Sequence, residues 1–179
     1  MCYGSQPGRS SQQGFSYIEL MVAMVVLAVG LLGGIAVICA ATANNGRSKL
    51  HTTAATLAES TLEKIIALPQ GASTTLTDCQ GNTFTIQTVD LKENSPGLVS
   101  VFGGSQLDFS QAPIAGYSMQ YAMCTPGQGI SYDVRWRIDA GPTPSTQLVT
   151  VSAKALPGSA APAAGFAMPV TLRGLRGGI

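Results

Sequence analysis

The sequence contains little charge and almost no histidine. Only 11% of its 179 residues are charged, the formal net charge is +1, and His51 is the single histidine. One histidine excludes a metal site that is built from several imidazoles. A net charge this small excludes the strongly basic field with which nucleic-acid-binding domains concentrate their ligand.

The common catalytic patterns are also missing. A cysteine–histidine pair needs a cysteine near His51, and the nearest one in sequence, Cys39, lies in an apolar run. Gly103 and Gly104 lack the lysine and the serine or threonine of a phosphate-binding loop. We therefore predict that the protein is not an enzyme, has no catalytic residue, and uses no metal or other cofactor.

Charge is completely absent from Leu20 to Ala43, where the sequence is LMVAMVVLAVGLLGGIAVICAATA. As a helix, a run of about 24 residues is about 36 Å long, which exceeds the roughly 30 Å of a bilayer's hydrocarbon core. Leucine, methionine and alanine occur throughout the run, and a strand of this length is rare. The run is therefore predicted to be a membrane-spanning helix.

The order of features before this run differs from that of a secretory signal. Residues 1–14 are polar and end in Gly14, and Glu19 places a carboxylate at the edge of the apolar run. A secretory signal carries its small-x-small cleavage motif after the apolar region, where Ala41 to Ala43 provides one. Cleavage after Ala43 stays an alternative, but the positions of the leader and of Glu19 argue against it.

The segment GFSYIELMVAMVVLAVGLLGG, Gly14 to Gly34, resembles the processing motif of the type IV prepilin family. The resemblance implies that residues 1–14 are a leader peptide, which prepilin peptidase removes by cutting between Gly14 and Phe15. It also implies N-methylation of the new amino terminus on Phe15. In the family, a glutamate at the position of Glu19 pairs with the amino terminus of the neighbouring subunit in a filament.

Glu19 is also informative without the resemblance. A carboxylate within a membrane segment costs roughly several kcal/mol to desolvate and usually marks a functional site. Pairing with an amino group would neutralise this charge and fix the register of packed helices. The alternative is that Glu19 lies at the membrane surface and reaches water.

Three glycines interrupt the apolar helix. Gly30 and Gly34 form a small-xxx-small pair beside Gly33, which permits close approach between membrane helices. Glycine also weakens a helix by about 1 kcal/mol in water, so local melting during assembly is an alternative. No proline occurs between Phe15 and Leu68, whereas major pilins commonly have one in this segment. This difference favours a minor pilin or a pseudopilin.

The helix is predicted to continue outside the membrane until Pro69, with Asn44 to Gly46 as the place for a bend. Apolar residues recur there at three- and four-residue steps, which predicts one buried face. The stretch LAESTLEKIIALP, Leu57 to Pro69, resembles minor pilins of the PilV type. The predicted buried face consists of Leu50, Ala54, Leu57, Thr61, Ile65 and Leu68.

The C-terminal part of the sequence has the patterns of a small sheet. ISYDVRWRI, Ile130 to Ile138, alternates apolar and polar residues, which predicts a half-buried strand. Weaker alternation predicts strands within 83–89, 117–123 and 147–155, with a hairpin loop at 141–144 and a long loop at 92–113. The expected fold is α+β and type IV pilin-like, a long N-terminal helix packed on a small antiparallel β-sheet.

These patterns divide the chain into a leader at 1–14, a transmembrane and assembly helix at 15–43, its soluble half at 44–69, a periplasmic sheet domain at 70–156 and a tail at 157–179. The tail is rich in proline, alanine and glycine, and we expect it to be poorly ordered, with a short edge strand at Phe166 to Leu172 as an option. The first candidates for DNA or surface binding, which no motif supports, are Arg135, Arg137, Arg173 and Arg176.

The four cysteines fall into different environments. Cys2 would leave with the leader, and Cys39 reads as a small apolar residue of the membrane helix. Cys79 and Cys124 remain in the exported domain, where an even pair predicts a disulfide. Closing a loop of about 45 residues would stabilise the fold by about 4 kcal/mol. Two free thiols stay an alternative.

The function implied by the resemblance is that of a PilV-type minor pilin, a structural and assembly subunit of type IV pili used in adhesion, twitching motility or DNA uptake. Its expected partners are prepilin peptidase, other pilins or pseudopilins, the inner-membrane assembly platform and the bilayer. The resemblance places the N-terminus in the cytoplasm and the C-terminal domain in the periplasm. The alternatives are a type II secretion pseudopilin and a signal-anchored envelope binding protein that never polymerises.

Overall fold

The structure is a computed structural model, and it describes residues 14, 16–89, 96–101, 104–125, 128–157 and 168–177. The chain divides into two compact units, an N-terminal unit Met1–Thr42 and a C-terminal unit Ala43–Ile179. The described elements are α1 Tyr17–Ala67, β1 Ser73–Thr77, β2 Thr83–Gln87, β3 Leu98–Val101, β4 Gly104–Leu107, β5 Ser118–Thr125, β6 Gln128–Ala140, β7 Thr146–Ala155 and β8 Val170–Gly177.

The first part of α1 makes up the described portion of the N-terminal unit. The helix begins at Tyr17, after Ser16, whose carbonyl accepts hydrogen bonds from the amides of Glu19 and Leu20 at 3.0 and 3.2 Å. The helix then continues without a break through Asn44 to Gly46. One helix therefore contains both the uncharged run and the amphipathic segment.

The second part of α1 buries one face in the C-terminal unit. The buried positions match the predicted ones, except that Ala58 joins them and Leu68 is only partly buried. Thr61 satisfies its hydroxyl by donating to the Leu57 carbonyl at 2.8 Å, which lets a polar residue lie in this face. The buried helical residues are Leu50, Ala54, Leu57, Ala58, Thr61 and Ile65.

The main sheet contains four antiparallel strands in the order β5-β6-β7-β8. In its central rows, Trp136 of β6 pairs with Val151 of β7, which pairs with Leu172 of β8. These apolar residues belong to or pack against the cluster that contains the buried helical face. The α+β fold, with a long N-terminal helix packed on small antiparallel sheets, is thereby confirmed.

Trp136 lies at the centre of this core and is fully buried. Its indole N–H donates to the Gln87 carbonyl at 3.1 Å, so the polar end of the ring is satisfied. The ring of Tyr117 lies 6.3 Å from that of Trp136, and the Tyr117 hydroxyl donates to the Val89 carbonyl at 2.6 Å. These contacts join β2 and the residues after it to the main sheet.

Two hairpins complete the fold, and the sequence reasoning found only one of their four strands. β1 pairs with the predicted strand β2, and β3 pairs with β4. β1 reads STTLT and lacks apolar alternation, because only one of its faces is partly covered. β3 and β4 lie within the predicted loop 92–113, so that prediction was wrong for these residues.

Two further predictions need correction. Strand β6 is buried on both faces, since Asp133 and Arg135 of its polar side are only 7% and 4% exposed. Residues 170–177 of the predicted poorly ordered tail form β8, an edge strand that pairs with β7 along its length. The optional strand at Phe166 to Leu172 overlaps β8 at Val170 to Leu172, and its first two residues lie outside the described part.

Candidate functional site

Glu19 lies in the first turn of α1, and it is exposed. A carboxylate at this end of a helix is stabilised by the unpaired amides and by the helix dipole. Among the residues that the structure describes, none forms an ion pair with Glu19. Gly14 is exposed as well, while Phe15 lies outside the described residues, so the predicted cleavage and methylation site stays a prediction.

The surface of α1 from Leu20 to Ala43 carries no charge and is apolar on every side. All of its residues up to Lys49 are exposed, and large side chains such as Leu27 and Leu32 are 64% and 69% exposed. The most apolar window of 18 residues has a mean hydropathy of 2.8, and none of that window is buried. A helix that is apolar all round needs lipid or other helices around it, and α1 is long and apolar enough to cross a membrane.

Gly30, Gly33 and Gly34 leave part of the surface of α1 open. A Cβ added at any of the three would meet no atom within 4 Å, so no contact among the described residues requires glycine there. The helix is continuous across all three positions, which shows no local melting in this state. The other role predicted for these glycines is to permit close approach of a second helix, and this role stays a prediction.

A disulfide joins the β1–β2 hairpin to the main sheet. The sulfur atoms of Cys79 and Cys124 are 2.06 Å apart, and their Cα atoms are 5.8 Å apart. Beside it, the Asp78 carboxylate accepts hydrogen bonds from Gln80, Asn82 and Ala122. Burial raises the pKa of Asp78, but these hydrogen bonds outweigh it, and the net pKa lies below the ordinary 3.8. Covalent and polar contacts thus hold the hairpin at the same point.

The arginines proposed for DNA binding are engaged within the chain. Arg135 pairs with Asp133 at 2.8 Å and Arg137 with Asp139 at 2.7 Å. Arg173 donates to the Ser105 carbonyl at 2.6 Å. Arg176 is 2% exposed and donates to the Ile65 carbonyl. Three of the four are therefore buried or paired with a carboxylate, and DNA or surface binding by these arginines stays a prediction.

Three of these arginines hold residues 96–111 on the outer face of the main sheet. Arg135 Nη1 donates to the carbonyls of Asp108 and Gln111 at 2.9 and 2.8 Å, and its guanidinium carbon lies 5.0 Å from the centre of the Phe109 ring. Arg137 Nη1 donates to the Pro96 carbonyl at 3.3 Å. This covering segment explains why the polar face of β6 is buried.

The Asp108 carboxylate stabilises the turn at one end of this segment. It accepts hydrogen bonds from the hydroxyl and the amide of Ser110 at 2.6 and 2.8 Å. These bonds, with a smaller contribution from the charge of Arg135, lower the pKa of Asp108 below its ordinary 3.8. The sequence signal that was missed is the spacing of D-x-R and R-x-D in β6, which places opposite charges on one face of a strand.

Within the described residues, no three histidine, cysteine, aspartate or glutamate side chains are grouped closely enough to hold a metal ion. His51, the single histidine, lies on α1 and is partly buried. The candidate functional site therefore consists of Glu19 and the exposed apolar surface of α1 from Leu20 to Ala43.

Comparison with known proteins bears on the same segment. The family model described as the prokaryotic N-terminal methylation motif matches residues 9–35. No curated protein and no solved structure matches the chain.

The match supports a type IV prepilin-like protein that is anchored in a membrane by α1. The motif marks a family of structural subunits, and it implies processing by a prepilin peptidase and assembly with other pilins. It covers the start of α1 and the residues before it, and it leaves the whole C-terminal unit unmatched.

Proposed function

We propose that the protein is a minor type IV pilin of the PilV type, a subunit that helps to start or decorate a pilus. Prepilin peptidase cuts between Gly14 and Phe15, and the amino group of Phe15 is then N-methylated. The mature subunit stays in the inner membrane through α1, with the C-terminal unit in the periplasm, until the assembly platform adds it to a filament of other pilins.

The observation that carries this proposal is the isolated carboxylate of Glu19. It stands at the start of an exposed apolar helix, inside the segment that matches the methylation motif, and none of the described residues pairs with it. In a filament, the methylated amine of a neighbouring subunit would supply the missing positive charge. The pair would fix the axial register of the helices, while their apolar surfaces provide most of the contact.

The minor rather than major class is supported by the absence of proline from Phe15 to Leu68. Proline removes a helical hydrogen bond and kinks or breaks a helix. In agreement with its absence, α1 has no break in its described length from Tyr17 to Ala67. A type II secretion pseudopilin shares these features, and the test below separates the two.

The full chain is produced with and without prepilin peptidase, together with the type IV pilus proteins or, in parallel, with the type II secretion proteins. Mass spectrometry then determines its N-terminus. We expect a product that begins at N-methylated Phe15 only when the peptidase is present, and incorporation into pili. Incorporation into the secretion filament instead would show a pseudopilin, and an uncut chain or one cut after Ala43 would refute both.

The role of Glu19 is tested with Glu19→Ala, and with Glu59→Ala as the matched control on the exposed side of the same helix. Both variants should be cleaved and methylated like the parent. Only Glu19→Ala should lose incorporation, by at least about tenfold if the pair contributes about 1.4 kcal/mol to subunit addition. Equal incorporation of the two variants would show that Glu19 has no pairing role.

A further inference from the structure

The last described strand carries a buried arginine next to the end of α1. Arg176 of β8 is 2% exposed, and its Nη1 donates to the Ile65 carbonyl at 3.1 Å. A cation is favourable at the carbonyl end of a helix. This hydrogen bond involves only Nη1 of the guanidinium. The Ile65 carbonyl that accepts it carries only the partial negative charge of the helix end. Burial lowers the pKa of Arg176.

Arg176 differs in this respect from the other arginines of the main sheet. Arg135 and Arg137 each have an aspartate two residues away on the same strand. Two residues before Arg176 is Gly174, and its cross-strand partner is the neutral Gln147. No carboxylate of the described residues forms an ion pair with Arg176.

A cavity lies beside Arg176 and the end of α1. Arg176 Nη2 is buried and has no hydrogen-bond partner. Arg176 and Gly177 line a cavity of about 110 Å³ together with residues 66–70, the end of α1 and the turn that follows it. This part of the wall is largely apolar, from Ile66 to Pro69, and it contains no acidic residue. The volume admits a group of a few heavy atoms, since a water molecule needs about 10–15 Å³ on this scale.

We propose that this cavity binds a carboxylate group, which accepts a hydrogen bond from Arg176 Nη2 while the apolar wall contacts its short carbon chain. A charge-assisted bond of this kind is stronger than one between neutral groups. The carboxylate comes either from a small free acid or from an aspartate or glutamate side chain of a second copy. The second source rests on the proposed assembly into filaments, whereas the first does not.

The free-acid source is tested on the full chain in detergent micelles. Thermal unfolding is followed by the fluorescence of Trp136, the only tryptophan, in sodium acetate and in sodium chloride of equal ionic strength. We expect acetate to raise Tm saturably, by about 3 °C or more at ten times its Kd. Arg176→Met should abolish the rise, and Arg173→Met, an exposed arginine on the same strand, should leave it unchanged.

A second variant leaves the guanidinium in place. Ala67 lines the cavity and is exposed, so Ala67→Leu should fold and reduce the space for a ligand. It should weaken the acetate effect even if Arg176→Met fails to fold. The competing explanation is that Gln147 turns its Oε1, which is also buried without a partner, toward Arg176. In that case acetate has no effect, and Gln147→Leu destabilises the protein.

The second-copy source is tested in the pilus incorporation assay. Loss of incorporation in both Arg176→Met and Ala67→Leu, with leader cleavage and Trp136 fluorescence unchanged, would assign the carboxylate to a neighbouring subunit. An acetate effect that both variants remove would assign it to a free acid. The proposal is wrong if acetate has no specific effect and both variants enter pili normally. A failure of leader cleavage would refute the proposed function. The acetate result alone would then decide whether the cavity binds a carboxylate.

Discussion

Leu27 and Leu57 belong to the same helix, yet 64% of the first side chain and only 6% of the second is exposed. From Leu20 to Ala43, α1 is uncharged and its residues are exposed, whereas the C-terminal part of the helix has one apolar face that packs into the core. Helical structure is therefore the same in both parts, and burial differs. The comparison shows that, among the described residues, the core of the C-terminal unit includes only the C-terminal part of α1.

Cysteine gives the sharpest test of this comparison, because the residue occurs in both regions. Removing the Cys79–Cys124 bond with a Cys79→Ser and Cys124→Ser double substitution opens a loop with a sequence separation of 45. The chain-entropy model predicts a loss of about 4 kcal/mol. Cys39→Ser, on the exposed N-terminal part of α1, should change stability by less than about 0.5 kcal/mol.

The measurement is urea unfolding of the full chain in detergent, followed by the fluorescence of Trp136, which lies in the C-terminal unit. Equal midpoints for the double variant and the parent would show that the disulfide does not stabilise this unit. A large effect of Cys39→Ser would show that the two regions are energetically coupled.

A leucine pair tests the same comparison through side-chain packing, with an expected effect of similar size. Leu57→Ala removes a buried side chain from the core and should destabilise the C-terminal unit by about 2–5 kcal/mol. Leu27→Ala removes an exposed side chain and should change the unfolding of that unit by less than about 0.5 kcal/mol. The same fluorescence assay measures both variants, and comparable losses would contradict the division of α1.

Acid should act on the C-terminal unit with the smallest effect of the three. The pKa values of Asp78 and Asp108 lie below the ordinary 3.8 because hydrogen bonds stabilise their charged forms. A lowered pKa in the folded state means that the stabilisation is complete above the unfolded-state value and is lost as the pH falls through the folded-state value. The urea midpoint should therefore be constant from about pH 7 to 5 and fall below about pH 4.

Asp78→Asn and Asp108→Asn are the matched variants for this pH profile. Each removes one titrating group while keeping a side chain of similar shape, so the double variant should show a smaller fall between pH 4 and 3 than the parent, roughly in proportion to the two lost groups. An identical fall in the parent and the double variant would assign the acid sensitivity to other carboxylates.

The sequence predicts the parts of this fold that follow a simple period. The buried face of α1 follows from three- and four-residue steps, and β6 from strict alternation, because one continuous core imposes those periods on the chain. β1 is too polar for such a signal, and β3 and β4 have only four residues each. Many positions of these strands are exposed, so no core imposes an apolar period on their sequences.

The candidate site divides in a similar way. Glu19 was predictable because a carboxylate in an uncharged run stands out in the sequence. The position of Arg176 against the end of α1 depends on the pairing of β8 with β7, and its hydrogen bond to the Ile65 carbonyl joins residues that are 111 positions apart. No local pattern in the sequence predicts such a contact.

The arginines that hold residues 96–111 donate to main-chain carbonyls, those of Pro96, Ser105, Asp108 and Gln111. Every amino acid has a carbonyl group, so the attachment of this segment depends little on the identity of its side chains. The exposed positions Leu98 to Ser100 can therefore accept other residues while the segment keeps its place on the sheet. This makes the β3–β4 hairpin a suitable position for displaying a foreign peptide sequence on the surface of the protein.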